Sequence, residues 1–143
     1  MISIRLATAK DRPGTDKITK EFGNHEYSHS PKYFDKAILT NNIFVAIDND
    51  EIIGYLIYHV IWGNTPFIEL LRVTSKYQRE GIGSKLLLEF EKKMKEDEYD
   101  EIVSSSERVN EVGNAFHKKH EFKIIGELDM IYGKETFYLK KLS

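Results

Sequence analysis

The chain of 143 residues contains no cysteine and no long hydrophobic run. Without cysteine it can form no disulfide, no cysteine-ligated zinc site and no thiol nucleophile. The longest apolar stretch, Ile52 to Trp62, is too short to cross a bilayer and is interrupted by Gly54 and His59. The start of the chain also lacks the apolar core of a signal peptide. We therefore expect a cytoplasmic protein with no membrane partner.

Excess charge of either sign is also missing. The formal net charge is −2 and the isoelectric point is near 6.2, so nucleic acid is not the expected partner, because a phosphate-binding surface needs clustered lysine and arginine. No repeat, low-complexity tract or flexible linker divides the sequence. The length suits one compact domain, and we expect residues 1–143 to form a single one.

What is present is a regular succession of strand and helix patterns. Alternating apolar residues predict strands, and apolar residues three and four positions apart predict helices. Read in order, the patterns give β-α-α-β-β-β-α-β-α-β-β. The turn at Asp48 to Asp50 is typical of a β-hairpin. These elements predict an α/β (α+β) fold with a mixed central sheet covered by helices.

The last predicted helix, Arg108 to His120, carries two stripes. Val109, Val112 and Phe116 are spaced to form a core-facing stripe. A second stripe, one residue further on, contains Asn110, Gly113 and His117. A glycine inside a helix costs roughly 1 kcal/mol relative to alanine, which a close approach by another group would explain.

One short stretch, "HEYSH", matches the zinc-binding pattern H-E-x-x-H through His25, Glu26 and His29. That chemistry needs a helix, so that both histidines point at one metal and the glutamate lies beside the bound water. Gly23 and Asn24 before the motif, and Pro31 after it, leave room for about two helical turns at most. We therefore predict no metal site and interpret the stretch as part of an acceptor pocket. A zinc metallopeptidase remains the remote alternative.

A different stretch, "RVTSKYQREGIGSKLLLEFEKK", predicts a strand, a glycine-containing loop and then a helix. Backbone N–H groups at the start of such a helix, together with the helix dipole, favour an anion such as a phosphate. The dinucleotide-binding pattern does not fit, because its third glycine would fall on Leu86. The P-loop pattern is absent from the sequence. The remaining motif is Q-x-x-G-x-G, from Gln78 to Gly83.

This motif and its surroundings resemble the GCN5-related N-acetyltransferase (GNAT) family. The family pattern V-x-x-x-[YF]-[QR]-x-x-G-[IV]-[GA] corresponds here to Val73, Tyr77, Gln78, Gly81, Ile82 and Gly83. The family's later pattern N-x-x-A-x-x-F-Y-x-x-x-G-F corresponds to Asn110, Gly113, Phe116, His117, Glu121 and Phe122, with histidine in place of the tyrosine and glutamate in place of the glycine. The order of strands and helices matches over essentially the whole chain. The resemblance implies a mostly antiparallel sheet of about seven strands flanked by about four helices.

The resemblance further implies direct transfer of the acetyl group of acetyl-CoA to a primary amine in a ternary complex. Backbone amides of the loop would hold the pyrophosphate, the strand before it would orient the thioester, and Asn110 would position the cofactor arm. The implied cofactor-binding residues are Leu71, Arg72, Val73, Gln78, Arg79, Glu80, Gly81, Ile82, Gly83, Ser84, Asn110, Gly113 and Phe116.

Two side chains are candidate catalytic residues. Glu69 is a charged residue between Ile68 and Leu70, where a charge needs a reason. It is the candidate base, and a structural ion pair with Arg72 is the alternative. His117 occupies the position of the family's tyrosine acid, and histidine can also donate a proton. The alternative is a solvated helix end.

The acceptor is an amine of undetermined kind: a small cationic amine, an amino acid or a peptide. The resemblance also allows a homodimer. A non-catalytic acyl-CoA-binding or regulatory module of the same fold is the alternative function. The expected acceptor-binding residues are His25, Glu26, Tyr27, His29 and Tyr33.

Overall fold

The structure is a computed structural model that describes residues 1–22 and 30–142. Within these residues it contains seven strands and four α-helices, in the order predicted from the sequence. Short 3-10 turns at Ala9–Asp11 and Ser75–Tyr77 are the additional elements. The bounds are β1 Ile2–Leu6, α1 Arg12–Glu21, α2 Pro31–Leu39, β2 Ile43–Asp48, β3 Glu51–Ile61, β4 Thr65–Val73, α3 Ile82–Glu96, β5 Glu101–Glu107, α4 Glu111–Lys119, β6 Lys123–Met130 and β7 Gly133–Lys141.

The strands form one mixed sheet in the order β1-β2-β3-β4-β5-β7-β6. Most neighbouring strands are antiparallel, and β4 and β5 are parallel. This confirms the predicted fold class. The chain divides into two compact units, one made of Met1–Tyr58 and Leu70–Lys92 and the other of His59–Glu69 and Lys93–Ser143. The single domain expected from the sequence stays a prediction.

The first unit is built on the antiparallel strands β1, β2 and β3. Asn49 and Asp50 both have positive φ, 50° and 63°, which is the left-handed geometry of a tight hairpin turn. The core of the unit lies where α1 and α2 pack on the sheet. There Phe34 makes an edge-on contact with Tyr55 at 5.5 Å between ring centroids. The other buried members of this core are Ala7, Ile18, Ala37, Ile43, Val45 and Ile57.

The second unit contains the start of β4, which pairs with β5 through Phe67 and Val103. β5 pairs with β7 along its whole length, and β7 pairs with the edge strand β6. The structure corrects the core stripe predicted for α4. Val109 is 83% exposed and Val112 is 82% exposed, whereas the buried residue of this helix is His117. The helix begins only at Glu111, and its polar stripe faces inward because buried polar groups of β5 and β7 meet it there.

Helix α3 follows the sequence pattern closely. Its apolar residues Leu86, Leu87, Phe90 and Met94, which lie on one face of the helix, are completely buried. None of the helices in the described residues is both long enough and apolar enough to pass through a membrane.

Candidate functional site

The glycine loop of the first unit connects β4 to the start of α3. Its residues Gln78 to Gly81 are exposed, and Arg79 and Gly81 have positive φ of 67° and 79°. The hydrogen bonds of α3 begin with the bond from Lys85 N–H to the carbonyl of Gly81 at 3.1 Å. The amides of the first helical turn therefore point along the helix axis, toward the loop. This is the geometry of an anion-binding helix start.

Three side chains hold this loop in place from positions before and within it. The Gln78 amide donates to the Val73 carbonyl at 3.1 Å. Tyr77 donates to Asp48 at 2.6 Å, and this bond raises the pKa of Tyr77 to about 12. The carboxylate of Glu21 accepts from the Ser75 N–H at 3.1 Å, from the Ser75 hydroxyl at 3.0 Å and from the Thr74 hydroxyl.

The charge on Glu21 is stabilised by these bonds. The Thr74 hydroxyl lowers the pKa of Glu21, and the Ser75 amide acts in the same direction. Asp48 behaves similarly, because the hydrogen bond from Tyr77 lowers its pKa. Both acids therefore remain ionised acceptors that fix the loop at neutral pH. Sequence reasoning missed both residues, because their partners lie 54 and 29 positions away in the chain.

The end of β4 in the first unit packs closely on β3. A Cβ at Gly54 would lie 3.0 Å from the Arg72 carbonyl oxygen, so glycine is needed for this approach. The guanidinium of Arg72 donates to the Tyr55 hydroxyl at 3.3 Å and lies 5.1 Å from the centre of the Phe22 ring. Leu71, Arg72 and Val73 are partly buried. These contacts position the segment directly before the loop.

In the second unit, Glu69 is paired with a residue that the sequence prediction did not include. His59 Nε2 lies 2.6 Å from a carboxylate oxygen of Glu69. Both side chains are partly exposed, at 45% and 27% respectively. Glu69 therefore forms an ion pair with His59, and the Arg72 guanidinium donates to the Tyr55 hydroxyl.

The start of α4, also in the second unit, is capped by Asn110. Its side-chain oxygen accepts the Gly113 N–H at 2.9 Å. A Cβ at Gly113 would lie 2.8 Å from the Asn110 amide nitrogen and 3.0 Å from Cβ of Ser106. The glycine is therefore required by the cap and by the close packing of the helix on β5. That is a structural reason for a residue that we assigned to cofactor binding.

His117 is buried, with both ring nitrogens hydrogen-bonded. Nδ1 lies 2.7 Å from the Gly113 carbonyl oxygen, and Nε2 lies 2.7 Å from the Ser104 hydroxyl. Because a carbonyl oxygen only accepts, Nδ1 carries the proton, and Nε2 of the neutral ring accepts from Ser104. Its ring also stacks on Tyr138 at 4.1 Å between centroids. Burial lowers the pKa of His117.

This environment favours a neutral His117 with a structural function. In the neutral ring the single N–H is directed to Gly113, and the lone pair is directed to Ser104. The solvated helix end considered from the sequence does not describe it, since the side chain is 5% exposed. Its function as the proton donor stays a prediction.

A further polar group in the second unit surrounds Glu135, which is 9% exposed. Its carboxylate accepts from Ser105 at 2.6 Å and from Tyr132 at 2.9 Å. Burial and the bond to Glu135 raise the pKa of Tyr132 to about 12. Tyr132 also lines a cavity of about 290 Å³ together with Glu107, Arg108, Val109, Gly133 and Lys134.

The remaining predicted residues are distributed as follows. Tyr33 lies on α2 and makes an edge-on contact with Phe34. Phe116 lies on α4, 4.5 Å from His120 between ring centroids. His25, Glu26, Tyr27 and His29 lie outside the described residues, and so does the whole H-E-x-x-H motif. In residues 1–22 and 30–142, no group of three or more histidine, aspartate or glutamate side chains could hold a metal ion.

Comparison with known proteins identifies the family. The family model described as Acetyltransferase (GNAT) family matches residues 13–122. The chain belongs to this family. Among curated proteins, none matches the sequence. GNAT membership indicates N-acetyltransferase activity and agrees with the loop geometry of the first unit.

Solved structures agree with the GNAT fold. Ard1 from Thermoplasma volcanium is 17% identical, with a TM-score of 0.90 over 99% of this chain and 98% of that one. PaiA N-acetyltransferase from Thermoplasma acidophilum, in complex with coenzyme A, is 23% identical, with a TM-score of 0.84 over 99% of both chains. The ribosomal-protein-S18-alanine N-acetyltransferase from Escherichia coli is 17% identical, with a TM-score of 0.81 over 100% of this chain and 95% of that one.

Proposed function

We propose that the chain transfers the acetyl group of acetyl-CoA directly to a primary amine. The observation that carries the proposal is the glycine loop. It has an anion-binding geometry, and its residues match the family's Q-x-x-G-x-G motif. The solved PaiA structure is a complex with coenzyme A, which supports an acyl-CoA as the donor. The chain has no cysteine to carry the acyl group, and in the proposed reaction both substrates are bound together so that the group passes directly between them.

In the first unit, backbone amides between Gln78 and Ser84 would hold the pyrophosphate of the donor. These N–H donors would be held in position for the pyrophosphate, because Glu21 and Asp48 anchor the loop. Leu71 to Val73 would orient the thioester by backbone hydrogen bonds, in the manner of an added strand. Acetyl-CoA supplies the activated acyl group, and these residues orient it.

In the second unit, Glu69 takes part in removing a proton from the amine. An alkylamine is protonated at neutral pH and must lose a proton before its nitrogen can attack the thioester carbon. As the C–N bond forms, the nitrogen gives up a second proton to solvent. The C–S bond breaks, and the sulfur leaves as a thiolate, which then takes up a proton. Positioned proton transfer of this kind contributes typically 10²–10⁴-fold to a rate.

The proposed acceptor is a small cationic amine, an amino acid or a peptide. The solved Escherichia coli structure is named for acetylation of an alanine of ribosomal protein S18, so peptide amino termini are a natural first class to test. Polyamines, amino acids and lysine-containing peptides form the other classes. We place the reaction in the cytoplasm, where acetyl-CoA and these amines are present.

The decisive test is release of free thiol from acetyl-CoA in the presence of each acceptor class. Release that depends on one class would establish the enzyme and identify its substrate. Tight binding of acetyl-CoA without acetylation of any acceptor would favour the non-catalytic acyl-CoA-binding module. The observation behind that alternative is the histidine at the position of the family's tyrosine.

A variant of the loop tests the donor site itself. We expect Gly81→Val to weaken binding of coenzyme A at least tenfold, measured by isothermal titration calorimetry. The φ of +79° at Gly81 is strained for a branched side chain, at a cost of roughly 1–2 kcal/mol, so the loop would change conformation to relieve it.

The matched control is Gly126→Val on β6. A Cβ at Gly126 meets no atom within 4 Å, and its φ is not in the left-handed region. This variant should bind coenzyme A like the wild type. Equal affinities for all three proteins would contradict the assignment of the loop as the pyrophosphate site.

A further inference from the structure

The pair formed by His59 and Glu69 lies entirely in the second unit, on the hairpin of β3 and β4. The 2.6 Å contact joins His59 Nε2 to the carboxylate, and both side chains keep part of their surface in solvent. Partly exposed ion pairs of this kind contribute little to stability, typically up to about 1 kcal/mol. A gain in stability therefore explains poorly why two ionisable residues occur within these otherwise apolar strands.

The contact also fixes which ring nitrogen can take up a proton. A carboxylate only accepts hydrogen bonds, so His59 Nε2 carries a hydrogen that points at Glu69. When the ring is neutral, its lone pair is on Nδ1. A carboxylate behind an imidazole holds the ring in one tautomer and stabilises the imidazolium that forms when the other nitrogen is protonated. The pair has the arrangement of a general base and its orienting group.

Imidazole is better suited to this task than a carboxylate. Free imidazole is the stronger base of the two, and it gains and loses protons readily near neutral pH. A general base works best when its basicity matches the pH at which the enzyme operates. Proton removal from an alkylammonium ion at neutral pH is therefore easier to explain through His59 than through Glu69 alone.

We propose that His59 is the catalytic base of the reaction and that Glu69 is its positioning residue. The inference rests on the proposed acetyl transfer and identifies the group that accepts the proton. The amine gives one proton to Nδ1 of His59, and its nitrogen lone pair forms the C–N bond with the thioester carbon. The C–S bond breaks with its electron pair on sulfur. The nitrogen loses its second proton to solvent as the neutral amide forms. The proton on His59 also passes to water, and the thiolate takes a proton from solvent.

Two probe amines of nearly the same size and shape test this assignment. Ethylamine is protonated at neutral pH, whereas methoxyamine is neutral and needs no base before it attacks. Both are supplied to the full-length chain with acetyl-CoA, and thiol release is corrected for the reaction without enzyme. We expect His59→Gln to lower the rate with ethylamine by about 10²–10⁴-fold and the rate with methoxyamine by less than about tenfold.

Glu69→Gln should show the same selectivity with a smaller loss, because the imidazole remains but loses its charged partner. Added imidazole should restore part of the ethylamine reaction in His59→Ala and leave Glu69→Gln unchanged. Neither result would follow if the pair only supported the hairpin. His120→Gln is the matched control, because His120 caps the C-terminal end of α4 and lies outside the proposed machinery. It should keep the wild-type rates with both amines.

Several results would overturn the inference. Equal losses with the two amines in His59→Gln would indicate a structural function for His59. A full ethylamine rate in His59→Gln together with a large loss in Glu69→Gln would make Glu69 itself the base. If His59→Gln does not fold, as judged by its urea unfolding, His59→Phe replaces it. If the wild type acetylates neither these two amines nor any acceptor class named above, the proposed function is contradicted instead, and the inference with it.

Discussion

Replacing Tyr55 by alanine is expected to lower the free energy of unfolding by about 3–5 kcal/mol, the range found for buried aromatic residues. Tyr55 is completely buried in the first unit, where its ring contacts Phe34. Its hydroxyl connects Thr19 on α1, at 2.8 Å, with Arg72 on β4, at 3.3 Å. Alanine would remove the ring and leave a cavity together with two polar groups that have lost a partner. Urea unfolding followed by circular dichroism measures the loss.

Tyr55→Phe separates the ring from the hydroxyl. Thr19 uses its own hydrogen in a bond to the Thr15 carbonyl, so the Tyr55 hydroxyl is the donor in the bond to Thr19 and the acceptor of the bond from Arg72. Phenylalanine keeps the packing and removes both bonds, at an expected cost of about 1–2 kcal/mol. If alanine cost no more than phenylalanine, the ring would not be the main contribution of this residue.

The glycine loop could be predicted from the sequence because its requirements are local. A left-handed position at Gly81 and a helix start at Ile82 depend on neighbouring residues alone. The anchors of the loop depend on distant ones. Glu21 reaches Ser75 and Asp48 reaches Tyr77 only after the chain has folded. Acidic residues at a helix end or in a hairpin turn carry no sequence signal for such partners.

The inward face of α4 was predicted incorrectly because hydrophobic periodicity was the only criterion. The buried side of this helix carries a polar network, in which Ser106 and Tyr138 both donate to the side-chain oxygen of Asn114. A better signal was present in Asn110, which is a favoured N-cap residue. A helix that starts directly after Asn110 places Val109 outside it, and Val109 can then no longer belong to a helical stripe.

His59 illustrates a third kind of limit. On its strand it follows Tyr58 and precedes Val60, in a run of apolar residues that gave it no apparent purpose. Glu69 attracted attention for the same reason, as a charge within an apolar strand. The relation between the two residues depends on the register of the hairpin, which a periodic pattern does not determine.

The second large effect concerns His117 and the pH dependence of stability. Burial lowers its pKa in the folded protein, whereas the unfolded chain has the ordinary value of about 6.5. Between these two values the unfolded state binds more protons than the folded state. The free energy of unfolding therefore rises with pH in this window. The contribution of His117 to it is lost as the pH falls from about 6.5 toward the lowered pKa. Above about 6.5 the contribution is fully present.

His117→Phe should remove this part of the pH dependence. At pH 8 we expect it to cost about 1–3 kcal/mol, because the buried Ser104 hydroxyl is left without its partner and the Gly113 carbonyl loses one hydrogen bond. The measurement is urea unfolding of both proteins at several values between pH 5 and 8. Their difference in stability should shrink as the pH falls, because only the wild type loses the contribution of the neutral histidine.

Enzyme activity distinguishes this structural function from proton donation. If His117 only supports α4, the fraction of His117→Phe that remains folded should keep a pH–rate profile of the wild-type shape. If His117 protonates the departing thiolate, the variant should instead lose the acid-dependent limb of kcat. The buried, doubly bonded imidazole leads us to expect the first result, with the histidine acting as a polar core residue where the family pattern has a tyrosine.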